Sequence, residues 1–214
     1  MKNAKGLAAV FLDRDGTINE EVGYMDRMEK FRLIPGAAAA IRLLNASGMK
    51  AVVVTNQSGI ARGLFDEAFV EEVHCRLREM LRAEEAFLDG IYYCPHHPTE
   101  GRDRYRISCG CRKPAPGLIL RAAADLHLDP ARCCLVGDTL KDMEAAARAG
   151  AGGILVRTGY GSESAAALQE ERERAAMPAG GNRGQRPEPI LFQPLHIAAD
   201  ILEAVQWIVR NQRP

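Results

Sequence analysis

What this sequence lacks narrows its class before any motif is considered. No apolar run approaches the roughly 20 residues of a membrane-spanning helix. The start, Met1 to Gly6, is short and polar, and no apolar run of the kind that follows a basic export-signal start is present, so the expected location is the cytoplasm. Nor is there a surplus of charge: Lys and Arg total 28 and Asp and Glu total 28 in 214 residues. With zero formal net charge, no global field favours nucleic acid or an anionic membrane, and an anionic ligand must be held by a local pocket. No internal repeat is present; the zero net charge and the absence of an obvious apolar stripe point to a monomer. What is there, 47% hydrophobic and 26% charged residues, suits one globular domain with a full core. Six cysteines in a chain without an export signal argue against a disulfide framework and turn attention to metal or catalysis.

The stretch Val10-Phe11-Leu12-Asp13-Arg14-Asp15-Gly16-Thr17 organises the rest. Its apolar start reads as a buried parallel strand, and two carboxylates follow where the strand gives way to a Gly-containing turn. Residues i and i+2 of an extended chain point the same way, so Asp13 and Asp15 crowd negative charge into one volume that a cation must relieve. Read alone, the pair is also what an Asp-rich turn closing a strand would show. Asn19 to Phe31 is polar and reads as a loop over this site. A helix begins at Pro35-Gly36 and runs through Ala37, Ile41 and Leu44. The buried strand 51–55 ends in Asn56-Gln57-Ser58-Gly59. Asp66 is the N-cap of a helix carrying Phe69, Val73, Leu77 and Met80. A short strand lies within Phe87 to Tyr93. Cys94 to Arg112 is a long aperiodic loop. The helix from Pro116, the strand 133–136 ending in Gly137-Asp138, the helix Leu140 to Arg148 and the strand 153–156 complete a strand and helix alternation. Such an alternation implies a parallel sheet with right-handed crossovers and helices on both faces.

Three strand ends carry matched chemistry: Asp13 and Asp15, then Thr55 and Asn56, then Asp138 with Asp142 in Gly-Asp-Thr-Leu-Lys-Asp. Arg112-Lys113-Pro114 precedes the third. Phosphate-ester hydrolysis asks for such a set, because a phosphate dianion repels an attacking carboxylate until its charge is neutralised. Mg2+ held by Asp13 and Asp138, the point charge of Lys113 and the hydroxyl of Thr55 supply that neutralisation. Asp13 then attacks phosphorus, and Asp15 protonates the leaving oxygen and activates water. That division of labour asks for one carboxyl neutral while its neighbour is charged, and a metal-bound Asp13 beside an Asp15 whose carboxyl is free of the metal splits their pKa values that way. Asp142 is the weaker metal candidate, reaching the ion through water or turning to a backbone amide.

The motifs Asp-x-Asp-Gly-Thr, Val-Val-Val-Thr-Asn, the lysine of Arg-Lys-Pro and Gly-Asp-x-x-x-Asp, in this order from about Phe11 to Thr158, resemble those of the haloacid dehalogenase superfamily of phosphotransferases. The resemblance implies a Rossmann-like three-layer parallel sheet with minimal or no cap domain. It makes Asp13, Asp15, Thr55 and Lys113 catalytic and gives the Mg2+ to Asp13, Asp15 and Asp138.

Cys94-Pro-His96 and Cys109-Gly-Cys111 form two close ligand pairs with 12 residues between His96 and Cys109, the spacing of a closed, structural Cys3His zinc site. His97 is the spare and is not assigned as a ligand. Zinc would staple the loop 94–111 beside Arg112 and Lys113. A haloacid dehalogenase-type phosphatase with this loop is similar to the bacterial branch acting on phosphorylated sugars and on histidinol phosphate. In that branch the positions matching Thr55 and Lys113 steady the phosphoryl group, that matching Arg112 helps recognise substrate, and the stretch matching Glu21 to Tyr24 contributes to the pocket. Asn56, Gln57 and Ser58 join the substrate-binding set. A second cation such as Arg112 suits a sugar bearing two phosphates better than histidinol phosphate.

Arg62 reads equally as a substrate contact or as a partner of a loop carbonyl. Cys133 and Cys134 read as buried thiols, and His74 and Cys75 as structural or surface residues of their helix. Beyond residues 1–161, the segment 162–188 reads as burying little and mobile in part. Residues 189–214 read as an edge strand at Ile190 to Phe192 and a closing helix with Ile197, Ile201, Val205 and Ile208 on one face. A different class of function, a zinc-stapled interaction module with a vestigial pocket, is opposed by the intact set of Asp13, Asp15, Thr55, Lys113 and Asp138.

Overall fold

The computed structural model describes residues 9–176 and 192–211. In chain order its elements are β1 (Ala9–Leu12), α1 (Ala37–Ala46), β2 (Lys50–Asn56), α2 (Gly59–Arg62), α3 (Glu67–Ala83), β3 (Gly90–Cys94), α4 (Gly117–Asp125), β4 (Cys133–Gly137), α5 (Leu140–Ala149), β5 (Gly152–Val156), α6 (Gly161–Ala176), β6 (His196–Ala198) and α7 (Ile201–Asn211). The strands pair in parallel in the order β3-β2-β1-β4-β5-β6. The chain therefore winds outward from β1 to β3, returns, and winds out the other way from β4. The reversal falls between β1 and β4, where ligands bind in open α/β sheets.

The strands are nearly continuous apolar runs because both faces of the sheet are covered. Successive residues divide between the two layers. Val10, Leu12, Val53, Cys134 and Val136 face Ile41 and Leu44 of α1, Leu77 and Leu81 of α3, and Val205 and Ile208 of α7. Phe11, Val52, Val54, Cys133 and Leu135 face Leu118, Ile119 and Ala122 of α4 and Ala145 of α5. Leu12 pairs with Val53 on one side and Val136 on the other, and the Asp13 N–H donates to Val136 O at 2.9 Å. This register sets Asp13 level with the end of β4, one residue before Asp138. Two loops, 13–36 and 95–116, stand over this edge.

The sheet and its helices match the sequence reading, with local exceptions. β3 starts at Gly90 because the Asp89 carboxylate accepts from Lys50 Nζ and Ala51 N, both at 2.9 Å, which turns the chain before pairing begins; Phe87 stays exposed. At the far edge, Ile190 and Leu191 lie outside the described residues, and Phe192 is irregular. The edge strand is His196–Ala198, so Ile197 belongs to β6, and the closing helix presents Ile201, Ala204, Val205 and Ile208 inward. Of the segment 162–188, the part up to Ala176 belongs to α6, with Ala165 and Leu168 packed on Met143 and Leu155; the rest lies outside the described residues. Two apolar residues three apart dock a helix whose later turns carry the charged run Glu170 to Arg174. No helix among the described residues is long and apolar enough to cross a membrane.

Candidate active site at the carboxyl edge of the sheet

Each strand end delivers one polar group. Asp13 follows β1, Thr55 and Asn56 close β2, and Asp138 follows β4. Thr139 N-caps α5: the Asp142 Oδ2 accepts from Thr139 N at 3.0 Å and from Thr139 Oγ1 at 2.6 Å. That leaves Asp142 Oδ1 for Lys113, whose Nζ lies 2.6 Å from it and 2.9 Å from Asp13 Oδ1. Lys113 comes from the loop after β3, and Asn56 aligns it by accepting from Lys113 N at 3.0 Å and donating to Lys113 O at 3.1 Å. Asp138 accepts from Tyr160 N at 2.9 Å. Gly16, at φ 79°, is required here, since a Cβ would come 2.2 Å from Asp138 Oδ2.

Asp13, Asp138 and Asp142 place carboxylate oxygens within 4.8 Å of one another. Three buried acids against one ammonium leave an excess of negative charge that an oxygen-seeking divalent cation fits. Electrostatics show the same strain. Burial, with the charges of Asp142 and Asp15, pushes Asp13 up to about 7 despite Lys113. Burial, with Asp13 and Asp142, pushes Asp138 up to about 8, against the Tyr160 N–H and Lys113. Burial would lower Lys113, but Asp13 and Asp142 more than reverse this and raise it.

Asp15 departs from the sequence reading in two respects. Its side chain is outside the three-acid group, because its oxygens are committed elsewhere: Arg14 Nη2 lies 2.9 and 2.8 Å from Oδ1 and Oδ2, Asn19 Nδ2 lies 2.9 Å from Oδ1, and Gln57 Nε2 lies 2.8 Å from Oδ2. Burial raises its pKa, but Arg14 and these hydrogen bonds outweigh it and hold the carboxyl below the ordinary range. Without a cation Asp13 favours its proton and Asp15 its charge, whereas the expected split is that of a metal-bound Asp13. Asp142, the weaker expectation, stands in the group where Asp15 was placed.

A cavity of about 280 Å³ opens on these groups. Glu21, Tyr24, Asn56, Gln57, Ser58, Arg112 and Lys113 line it, as does Thr55, which is buried and accepts from Gln57 Nε2 at 3.0 Å. Glu21 accepts from Gly23 N, and its carboxyl is raised by burial and by Asp15. Arg112 Nη1 donates to His96 O at 3.1 Å. Arg62 does not join the lining: it pairs with Glu100, approaches His97 Nε2 at 3.3 Å and lies 5.6 Å from the Tyr24 ring centroid. Asn56 and Gln57 are at the cavity wall, but their amides hold Lys113 and Asp15. Sequence reasoning missed Lys141, Tyr160 and Phe65 in the lining. The only signal was for Lys141, one residue before Asp142 in the fourth motif.

Cys94, His96, Cys109 and Cys111 converge beside Arg112. Cys111 Sγ lies 3.2 Å from both Cys94 Sγ and Cys109 Sγ, and His96 Nδ1 lies 3.4 Å from Cys111 Sγ. Those separations are near the edges of a tetrahedron with zinc bonds of about 2.0–2.3 Å, so the group could hold zinc. His97 turns away, its Nδ1 accepting from Glu100 N at 2.9 Å.

The fold and this constellation define a haloacid dehalogenase-like hydrolase. The HAD-hydrolase-like family model matches residues 110–178. The D-glycero-β-D-manno-heptose-1,7-bisphosphate 7-phosphatase of Escherichia coli O6:H1 is 50% identical over 157 residues, covering 73% of this chain and 83% of that protein. The crystal structure of D,D-heptose 1,7-bisphosphate phosphatase from B. bronchiseptica, complexed with magnesium and phosphate, is 31% identical with a TM-score of 0.76, over 95% of this chain and 99% of that one. The same enzyme from Burkholderia thailandensis is 28% identical with a TM-score of 0.62, over 94% and 98%. The chain belongs to this phosphatase family.

Two outcomes follow from the site's charges and sulfurs. Asp13 and Asp138 have raised pKa values, so in metal-free protein their contribution to stability falls as pH rises from about 4 through about 8. A cation needs them ionised. The rise in Tm on adding Mg2+ should therefore grow between pH 6 and pH 8; thermal melts with a pH-independent increment would contradict this. Elemental analysis of protein purified without chelator should find about one zinc per chain, and Cys109→Ser should lose it together with several degrees of Tm. An unchanged metal content would refute the site.

Proposed function

We propose that the chain is a Mg2+-dependent phosphatase that removes the 7-phosphate of D-glycero-D-manno-heptose 1,7-bisphosphate, yielding a precursor for heptose nucleotides and lipopolysaccharide core. The observation that carries this reading is Asp13 on the cavity floor, 2.9 Å from Lys113 and grouped with Asp138 and Asp142. Asp13 and Asp138 would hold Mg2+, which when bound neutralises phosphate charge and keeps Asp13 ionised.

A carboxylate oxygen of Asp13 attacks phosphorus, and the bond to the sugar oxygen breaks. Lys113 and the Thr55 hydroxyl stabilise the charge on the phosphoryl oxygens. Asp15 is a carboxylate at rest; a phosphate dianion arriving beside it raises its pKa, so that it takes up a proton from solvent and hands it to the leaving oxygen. It then takes a proton from the water that attacks the aspartyl-phosphate, releasing inorganic phosphate and restoring Asp13, and returns that proton to solvent when the phosphate departs. Glu21, Tyr24 and Ser58 shape the sugar site. Arg112 and Lys141 give the cavity cationic side chains beyond Lys113, which suits a sugar with a second phosphate. Cys94, His96, Cys109 and Cys111 would hold zinc, which would fix the loop that presents Arg112 and Lys113. The chain acts as a monomer in the cytoplasm.

Asp13→Asn, which keeps the shape and removes the nucleophile, should lower kcat by more than about a thousandfold. The wild-type kcat/KM should be higher for the heptose bisphosphate than for histidinol phosphate. Phosphate-release assays giving an active Asp13→Asn protein would refute the nucleophile, and the reverse substrate order would refute the substrate.

A further inference from the structure

Arg14 lies between the two aspartates of the first motif, yet its side chain runs into the protein and is 1% exposed. Its Nη2 bridges both Asp15 oxygens and its Nε reaches Asp15 Oδ1 at 3.2 Å, so one end of the guanidinium is spent on Asp15. The other end, Nη1, meets His74 Nε2 at 3.4 Å. His74 is 1% exposed on α3, and no step of the proposed mechanism uses it. Arginine has no lone pair to offer, so Nε2 must be the acceptor and the ring proton must sit on Nδ1. Nδ1 faces Glu71 Oε1 at 4.0 Å, which suits that tautomer. The ring is packed 5.6 Å from the Tyr93 ring centroid. Burial, then the charges of Arg14 and Arg78, hold its pKa down to about 3, keeping it a neutral acceptor.

We propose that His74 is a positioning residue for the proton transfers of Asp15: it fixes the free end of the Arg14 guanidinium, and the opposite end of that rigid plane fixes the Asp15 carboxylate. Asn19 and Gln57 each tether one Asp15 oxygen from a single donor; the Arg14 fork alone grips both and sets the plane of the carboxylate. With no acceptor at position 74, Nη1 is a buried donor without a partner, and the guanidinium is driven to rotate towards one. A rotation that shifts Asp15 by a fraction of an ångström is costly to proton transfer.

This inference rests on the reading of Asp15 as acid and base, and the test separates the two. The value of kcat/KM reports transfer of the phosphoryl group to Asp13. With the heptose bisphosphate, that step needs a proton on the leaving sugar oxygen; with p-nitrophenyl phosphate, the phenolate leaves without one. His74→Leu should lower kcat/KM about tenfold on the sugar phosphate and less than about twofold on the aryl phosphate. His74→Gln, which restores an acceptor, should recover most of the loss, and Asp15→Asn should show the same selectivity more strongly. If His74→Leu does not fold, Arg14→Lys, which keeps the charge and removes the fork, reads the same ratio. Equal losses on both substrates, or none, with a selective Asp15→Asn would overturn the role of His74. A non-selective Asp15→Asn would overturn the Asp15 reading and this inference with it.

Discussion

The contact on which the site depends is the buried ammonium of Lys113 lying between Asp13 and Asp142. Three acids cannot share one small, water-poor volume without compensation. Lys113 compensates part of the charge, and the remainder is what draws a cation. The arrangement raises the pKa values of Asp13 and Asp138 while leaving Asp13 open to the cavity. A lysine here does double service. It keeps the metal-free fold tolerable and supplies a positive charge for a phosphoryl group.

The rest of the fold explains how these groups meet. β1 and β4 flank the reversal of strand order, so their carboxyl ends deliver Asp13 and Asp138 side by side. The Thr139 cap places Asp142 at the first turn of α5, where its second oxygen reaches Lys113. Asn56 carries the coupling to β2 by holding the Lys113 backbone through both amide atoms. Lys113 has no strand beneath it and depends on this brace and on the neighbouring Cys3His group. A loop outside the sheet thereby contributes a side chain with the precision of a strand end.

Much of this was legible in sequence because the chemistry sits at strand ends. An apolar run followed by Asp13 or Asp138 announces both the strand and what its end presents, and close Cys and His pairs announce their own convergence. Less could be read where a side chain's duty is set by a distant partner. Asn56 and Gln57 read as ligands for substrate, but their amides are engaged with Lys113 and Asp15. Arg62 finds Glu100 and His97 through the folding of the long loop. The low pKa of Asp15 comes from Arg14, which turns inward to grip it, and no local pattern reveals that. At the chain's end a strand forms where His196 to Ala198 pair with β5, a short stretch that carries little apolar signal of its own.

The most direct test of the central claim is the position of a divalent cation in crystals grown with Mn2+, located by its anomalous scattering. The account predicts a peak within ligand distance of the Asp13 and Asp138 carboxylates, with Lys113 still against Asp142. A peak on the Asp15 side chain, or Asp13 and Asp138 too far apart to share an ion, would contradict it.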